Sequence, residues 1–161
     1  MDRKIKAYSL IELLFVIAIL FILASFAYRE MLVYIARERL KGATEEILGE
    51  LNWIKTKSTV SSISYGLCID TSENKVIIFQ DENKNNKYDT TIDPVVRTLQ
   101  VLQRYPGISV NASSSLLCPR AAVFNRFSYL ANGIPGKVIL SNNFGETKEI
   151  TISQLGRIRL K

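Results

Sequence analysis

Histidine is absent from the chain, and that removes the usual general base near neutral pH together with the commonest zinc ligand. A serine-histidine triad is therefore excluded, and the serine-rich pieces "SSIS" and "NASSSLLC" read as strand edge and polar loop. No nucleophile, base and orienting residue come together at a meaningful spacing, so the expectation is a non-enzyme without a cofactor. Cysteine is scarce: Cys68 and Cys118 are the only two. One pair fixes no spacing pattern, which leaves a Cys68–Cys118 disulfide and two buried free thiols both open. Internal repeats and long Gly- or Ser-rich linkers are missing too, so nothing separates the chain into independent pieces.

What the chain does have is a long uncharged run. No residue from Leu13 to Tyr28 is charged, and with Tyr8 to Ile11 the stretch reaches about the 20 residues that a bilayer-spanning helix needs. Arg3, Lys4 and Lys6 stand in front of it against Asp2. A cleaved secretory signal has a shorter apolar centre followed by a small-residue cleavage site; this run continues into "YREMLVYIARERLKG" without one. The reading is a retained membrane helix, its basic end cytoplasmic and residues after about Arg29 exported. Both cysteines then lie where oxidising conditions permit a bond.

Glu12 interrupts the pattern. An ionised carboxylate in hydrocarbon costs kilocalories per mole unless it is paired, and the sequence offers no evident partner. The net charge of +6 leaves the exported part mildly basic, which permits contact with nucleic acid or an anionic surface without arguing for it.

Beyond the apolar run the helical period persists. Leu32, Ile35, Ala36, Leu40, Ala43, Ile47, Leu51 and Ile54 recur at steps of three and four, with charged residues on the other faces. One helix is predicted from about Leu10 to Lys57, ended by "STVSSISYG". The period then changes to two. Strands are predicted at 65–69, 75–80, 95–102, 108–111, 121–125, 137–141, 149–153 and 157–160, separated by turn-rich pieces such as "NGIPG" and "NNFGE" that favour hairpins. The expected fold class is α+β, a long helix whose far half packs on a small antiparallel sheet domain.

Two segments in the exported part invite a site. In "DENKNNKYD", Asp81, Asn83, Asn85 and Asp89 alternate like the ligands of a calcium loop. The sixth and twelfth positions are Asn86 and Ile92 where such a loop wants Gly and Glu, and Lys84 and Lys87 oppose a cation, so the reading is a solvated loop with no metal. In "QLGRIRLK", a strand places Arg157, Arg159 and Lys161 in one row, with Ile158 and Leu160 facing the core. Guanidinium groups suit phosphate, though a solvated strand face with Gly156 in a turn explains the same residues. Arg120, Arg126, Lys137 and Lys148 are further bases whose placement the sequence leaves open.

"KAYSLIELLFVIAIL" resembles the N-terminus of type IV prepilins, in which a short basic leader, a Gly and an aromatic residue precede Thr/Ser-Leu-Ile-Glu-Leu and an apolar run. The resemblance implies cleavage by a prepilin peptidase between Ala7 and Tyr8 and methylation of Tyr8, with Ala7 standing where Gly is usual. It also implies a partner for Glu12, the N-terminal amine of a neighbouring subunit, so that two costly intramembrane charges become one neutral contact. The helix, the β-rich part, the segment "VIIFQDENKNNKYDTTIDPVVR" and the Gly-Arg C-terminus are similar to the GspH/FimT family of minor pilins and pseudopilins. This implies a leader over 1–7, a membrane half-helix over 8–28, an amphipathic half over 29–57 and a globular part over 58–161. Implied partners are other pilin or pseudopilin subunits, the prepilin peptidase and membrane lipid before assembly. Implied locations are the bacterial inner membrane and, after assembly, a filament or its tip. Gly156, Arg157 and Arg159 match the Gly-Arg-x-Arg motif of pilins implicated in DNA uptake, which makes DNA a second candidate partner through Arg157, Arg159 and Lys161.

Overall fold

A computed structural model describes residues 10–161. The first element, α1, runs from Leu10 to Ser61. The chain divides after Ile35 into two units. In the first, the helix exposes its apolar side chains all round, Leu10, Ile11, Leu13, Phe15, Phe21 and Phe26 among them, and it is long and apolar enough to cross a membrane. A helix apolar on every face suits a lipid or helix-lined surrounding rather than water.

From Ala36 onward the same helix is amphipathic. Leu40, Ala43, Ile47, Leu51 and Ile54 form a buried stripe at steps of three and four, each at most 2 % exposed. The helix runs past its predicted end at Lys57, with its terminal hydroxyls bonded back inside it: Thr59 donates to the Lys55 carbonyl at 3.0 Å and Ser61 to that of Lys57 at 2.7 Å. Ser62, at φ 58°, ends it, and the Ser58 hydroxyl receives the N–H of Tyr65 at 3.3 Å.

The buried stripe meets two antiparallel sheets where the sequence suggested one. The strands are β1 (Tyr65–Asp70), β2 (Lys75–Gln80), β3 (Val95–Gln100), β4 (Ile108–Ala112), β5 (Ala122–Phe124), β6 (Gly136–Asn142), β7 (Thr147–Ile152) and β8 (Ile158–Leu160). They order as β3-β2-β1-β5 and β4-β6-β7-β8. Leu67, Ile69, Val76 and Ile78 of the first sheet and Val138, Leu140, Ile150 and Ile152 of the second join the helix stripe in one core. Burying that many aliphatic side chains, at about 25 cal/mol per Å² of apolar surface, is the main force holding this unit together.

The first sheet is also covered on its other face. Cys68, Ile77, Phe79, Ala121 and Val123 form a second cluster with Tyr88 and Cys118 laid against it, the Phe79 and Tyr88 rings 5.0 Å apart. That is why β1 and β2 read as continuous apolar runs: they are buried on both faces. Cys68 and Cys118 are disulfide-bonded.

Other boundaries moved for local reasons. The strand predicted to Leu102 stops at Gln100, and Val101–Arg104 turn into a short helix, α2, closed by the Tyr105 N–H on the Val101 carbonyl at 2.8 Å. Arg157 lies in the hairpin before β8 rather than in the strand, its N–H bonded to the Ser153 hydroxyl at 3.1 Å. Leu160, expected to face the core, is 44 % exposed because β8 is an edge strand.

Candidate functional site

The sequence directs attention to the two ends of the chain. At the first, Ala7 and Tyr8 lie outside the described residues, while Glu12 sits in the first turn of α1, exposed among exposed apolar side chains.

At the C-terminus a basic row is built by a hairpin. Arg159 pairs with Thr151 of β7, and Lys161 exchanges backbone bonds with Glu149 at 2.8 and 3.3 Å. Alternation in the ladder puts Arg159 and Lys161 on one side, the Ser153 N–H bonded to the Arg157 carbonyl at 2.9 Å sets Arg157 in the same phase at the hairpin, and all three are exposed. Gly156 makes the hairpin possible: its φ is +70°, and a Cβ there would collide with the carbonyl oxygen of Ser128. Its own carbonyl receives the Lys55 ammonium at 2.9 Å. The glycine of the Gly-Arg-Ile-Arg segment thus has a backbone role, and the arginines have no carboxylate within ion-pair distance among the described residues.

A groove of about 1050 Å³ runs along this segment, with Asn52, Lys55, Lys137, Arg157, Arg159 and Lys161 in its lining. Of the four further bases, Lys137 joins it, its ammonium 3.1 Å from Glu149. Arg126 instead lies over the Phe127 ring at 4.7 Å, and Arg120 and Lys148 line separate hollows. The basic surface is accordingly local to β8.

The loop between β2 and β3 turns two of its carboxylates, Asp81 and Asp93, inward. Asp81, 2 % exposed, accepts the N–H groups of Asn85 and Asn86 at 3.2 and 3.1 Å, and burial holds its carboxyl above the ordinary range. Asp93 accepts the N–H groups of Glu82 and Asp89 at 3.1 and 2.8 Å. These acids organise the loop backbone, as Asx-type turns do. Asn83, Asn85 and Asp89 are likewise bonded to the N–H groups of Asn85, Lys87 and Thr91.

One arrangement has no sequence signal at all. Glu50 of α1, 8 % exposed, is ion-paired with Arg97 of β3, whose guanidinium lies 5.2 Å from the centre of the Trp53 ring. The partners are 47 residues apart, and one of them looks like any solvent-facing helix acid.

Comparison with known proteins agrees with this anatomy. The prokaryotic N-terminal methylation motif matches residues 2–28. The type IV minor pilin FimU of Pseudomonas aeruginosa is similar in structure at 16% identity and a TM-score of 0.59, covering 80% of this chain and 92% of that one. The minor pseudopilin EpsH of the type 2 secretion system of Vibrio cholerae superimposes at 14% identity and a TM-score of 0.55, over 76% of this chain and 96% of its own. GspH of E. coli does so at 11% identity and 0.55, over 79% and 90%. No curated protein matches the sequence. At such identities the structural likeness establishes the fold. The likeness is to the α+β pilin fold, and the methylation-motif match is separate from it and confined to residues 2–28.

Proposed function

We propose that the chain is a minor pilin or pseudopilin, a structural subunit of a type IV pilus or a type II secretion pseudopilus that performs no catalytic step. On this reading it enters the bacterial inner membrane with its N-terminus cytoplasmic. Prepilin peptidase removes residues 1–7, and Tyr8 is methylated. Residues 8–28 hold the subunit in lipid, 29–57 form the amphipathic half-helix, and 58–161 lie outside the membrane until α1 moves into a filament or its tip.

The observation that carries the reading is Glu12, a carboxylate in a helix whose surrounding side chains are apolar and exposed. Left alone in hydrocarbon it is costly; set against the N-terminal amine of a neighbouring subunit it becomes a registering contact. Glu12→Ala is expected to insert into membrane normally and to fail to enter filaments, read by membrane fractionation against sheared filament fractions. Undiminished incorporation contradicts the pairing. Deleting the gene and scoring both surface pili and secreted protein separates the two machineries.

A second reading, DNA capture during uptake, is supported by the exposed row of Arg157, Arg159 and Lys161. The full chain in neutral detergent micelles is then expected to bind duplex DNA with a steep salt dependence that Arg157→Ala and Arg159→Ala both flatten. Absence of binding at low salt removes this reading.

A further inference from the structure

The edges of the two sheets are not treated alike. On β4 the side chain of Asn74 stands in for a neighbouring strand, donating to the Ile108 carbonyl at 2.9 Å and accepting the Val110 N–H at 2.7 Å. β5 is covered by the returning chain, where Ala131 donates to the Val123 carbonyl at 2.7 Å. The register of β3 against β2 shifts at Ile78 and Phe79, and such an irregularity spoils further pairing.

Among the described residues, nothing caps, covers or offsets β8 in these three ways. The bonds that Lys161 exchanges with Glu149, and the one from the Ser153 N–H to the Arg157 carbonyl, fix which residues face β7. In an antiparallel ladder these alternate, so the N–H and C=O groups of Ile158 and Leu160 point outward from the sheet. The groove described above takes in Leu155 and Ile158 at this end of the sheet, and Leu160 and Leu155 are 44 % and 71 % exposed.

We propose that β8 is a strand-addition site for an extended acidic segment of another protein. Backbone bonds to Ile158 and Leu160 supply the pairing, and alternate acidic side chains on the incoming strand meet Arg157, Arg159 and Lys161, the usual division of labour in strand addition. The intervening side chains lie beside Ile158 and Leu160. Charge selects the occupant: a second β8 laid antiparallel sets one basic row against another, which is destabilising, whereas an acidic strand is attracted. A nucleic acid can meet the basic row but has no use for an open backbone edge with an exposed leucine. The proposal rests on the fold and stands apart from the assembly role of α1.

The test uses the full chain in neutral detergent micelles and a labelled synthetic peptide of alternating glutamate and valine, with a lysine-valine peptide as control. Binding of the acidic peptide alone, with slowed hydrogen exchange at the Ile158 and Leu160 amides, is the expected result. Arg157→Glu combined with Arg159→Glu is expected to weaken the acidic peptide by at least about tenfold and to admit the lysine peptide. Leu160→Pro removes an outward N–H that serves no bond to β7, and is expected to abolish peptide binding. Unchanged exchange protection at Leu140 and Ile150 confirms that this variant is folded. No peptide binding, binding that survives Leu160→Pro, or binding of duplex DNA in place of the peptide overturns the proposal.

Discussion

The Lys55 ammonium donates to the backbone carbonyl of Gly156 at 2.9 Å, tying the buried half of α1 to the hairpin that presents the basic row. The hairpin leaves no room at this glycine. Gly156→Ala places a side chain in a left-handed conformation and against the Ser128 carbonyl, so it is expected to cost more than about 1 kcal/mol. Guanidinium unfolding of the full chain in micelles, followed by the fluorescence of Trp53, the only tryptophan, measures it.

Arg97 has a different importance. Glu50 is nearly buried and its Oε2 has no hydrogen-bond partner, so Arg97→Ala strands a charge in the core. Because Arg97 is itself half exposed, the expected loss is about 2–3 kcal/mol, below that for a fully buried pair. Combining it with Glu50→Leu is expected to recover most of that loss in the same unfolding assay, since no buried charge remains.

Acid is expected to loosen the unit from Ala36 to Lys161 through its paired carboxylates. The Glu146 carboxyl is held below its ordinary range chiefly by the Arg37 guanidinium at 2.5 Å, and that of Asp70 chiefly by the Ser72 hydroxyl. A depressed folded-state value adds stability that is complete above the unfolded value and disappears as pH falls through the folded one. Asp81 works the other way: burial raises it, so its protonation on acidification favours the folded state. Stability is expected to fall from about pH 4 downward, less steeply in Glu146→Gln and more steeply in Asp81→Asn, in unfolding curves taken across that range.

Local patterning carried much of the fold. The three- and four-residue steps of Leu40, Ala43, Ile47, Leu51 and Ile54 name the buried helix face, and the short β-branched and aromatic run "KVIIFQ" is a strand from Lys75 to Gln80 as predicted. Pairings between distant segments were not legible, because one alternating pattern suits one sheet or two. The helical turn at Val101 was hidden for a related reason: a buried valine after a strand continues the strand pattern equally well. At the candidate sites, the sequence singled out Glu12, Arg157, Arg159 and Lys161, and the structure adds that all four are exposed. It could not show that Asp81 spends its oxygens on backbone amides, that β8 is an open edge, or that Glu50 faces Arg97.

Processing at the junction before α1 is what most directly distinguishes a pilin-like subunit from an ordinary membrane-anchored protein. Intact mass spectrometry of the protein isolated from native membranes is the decisive measurement. A chain beginning at Tyr8 and carrying one added methyl group is the predicted result, with an unmethylated, uncleaved form accumulating when the peptidase is absent. A chain that still begins at Met1 in cells with an active prepilin peptidase contradicts it.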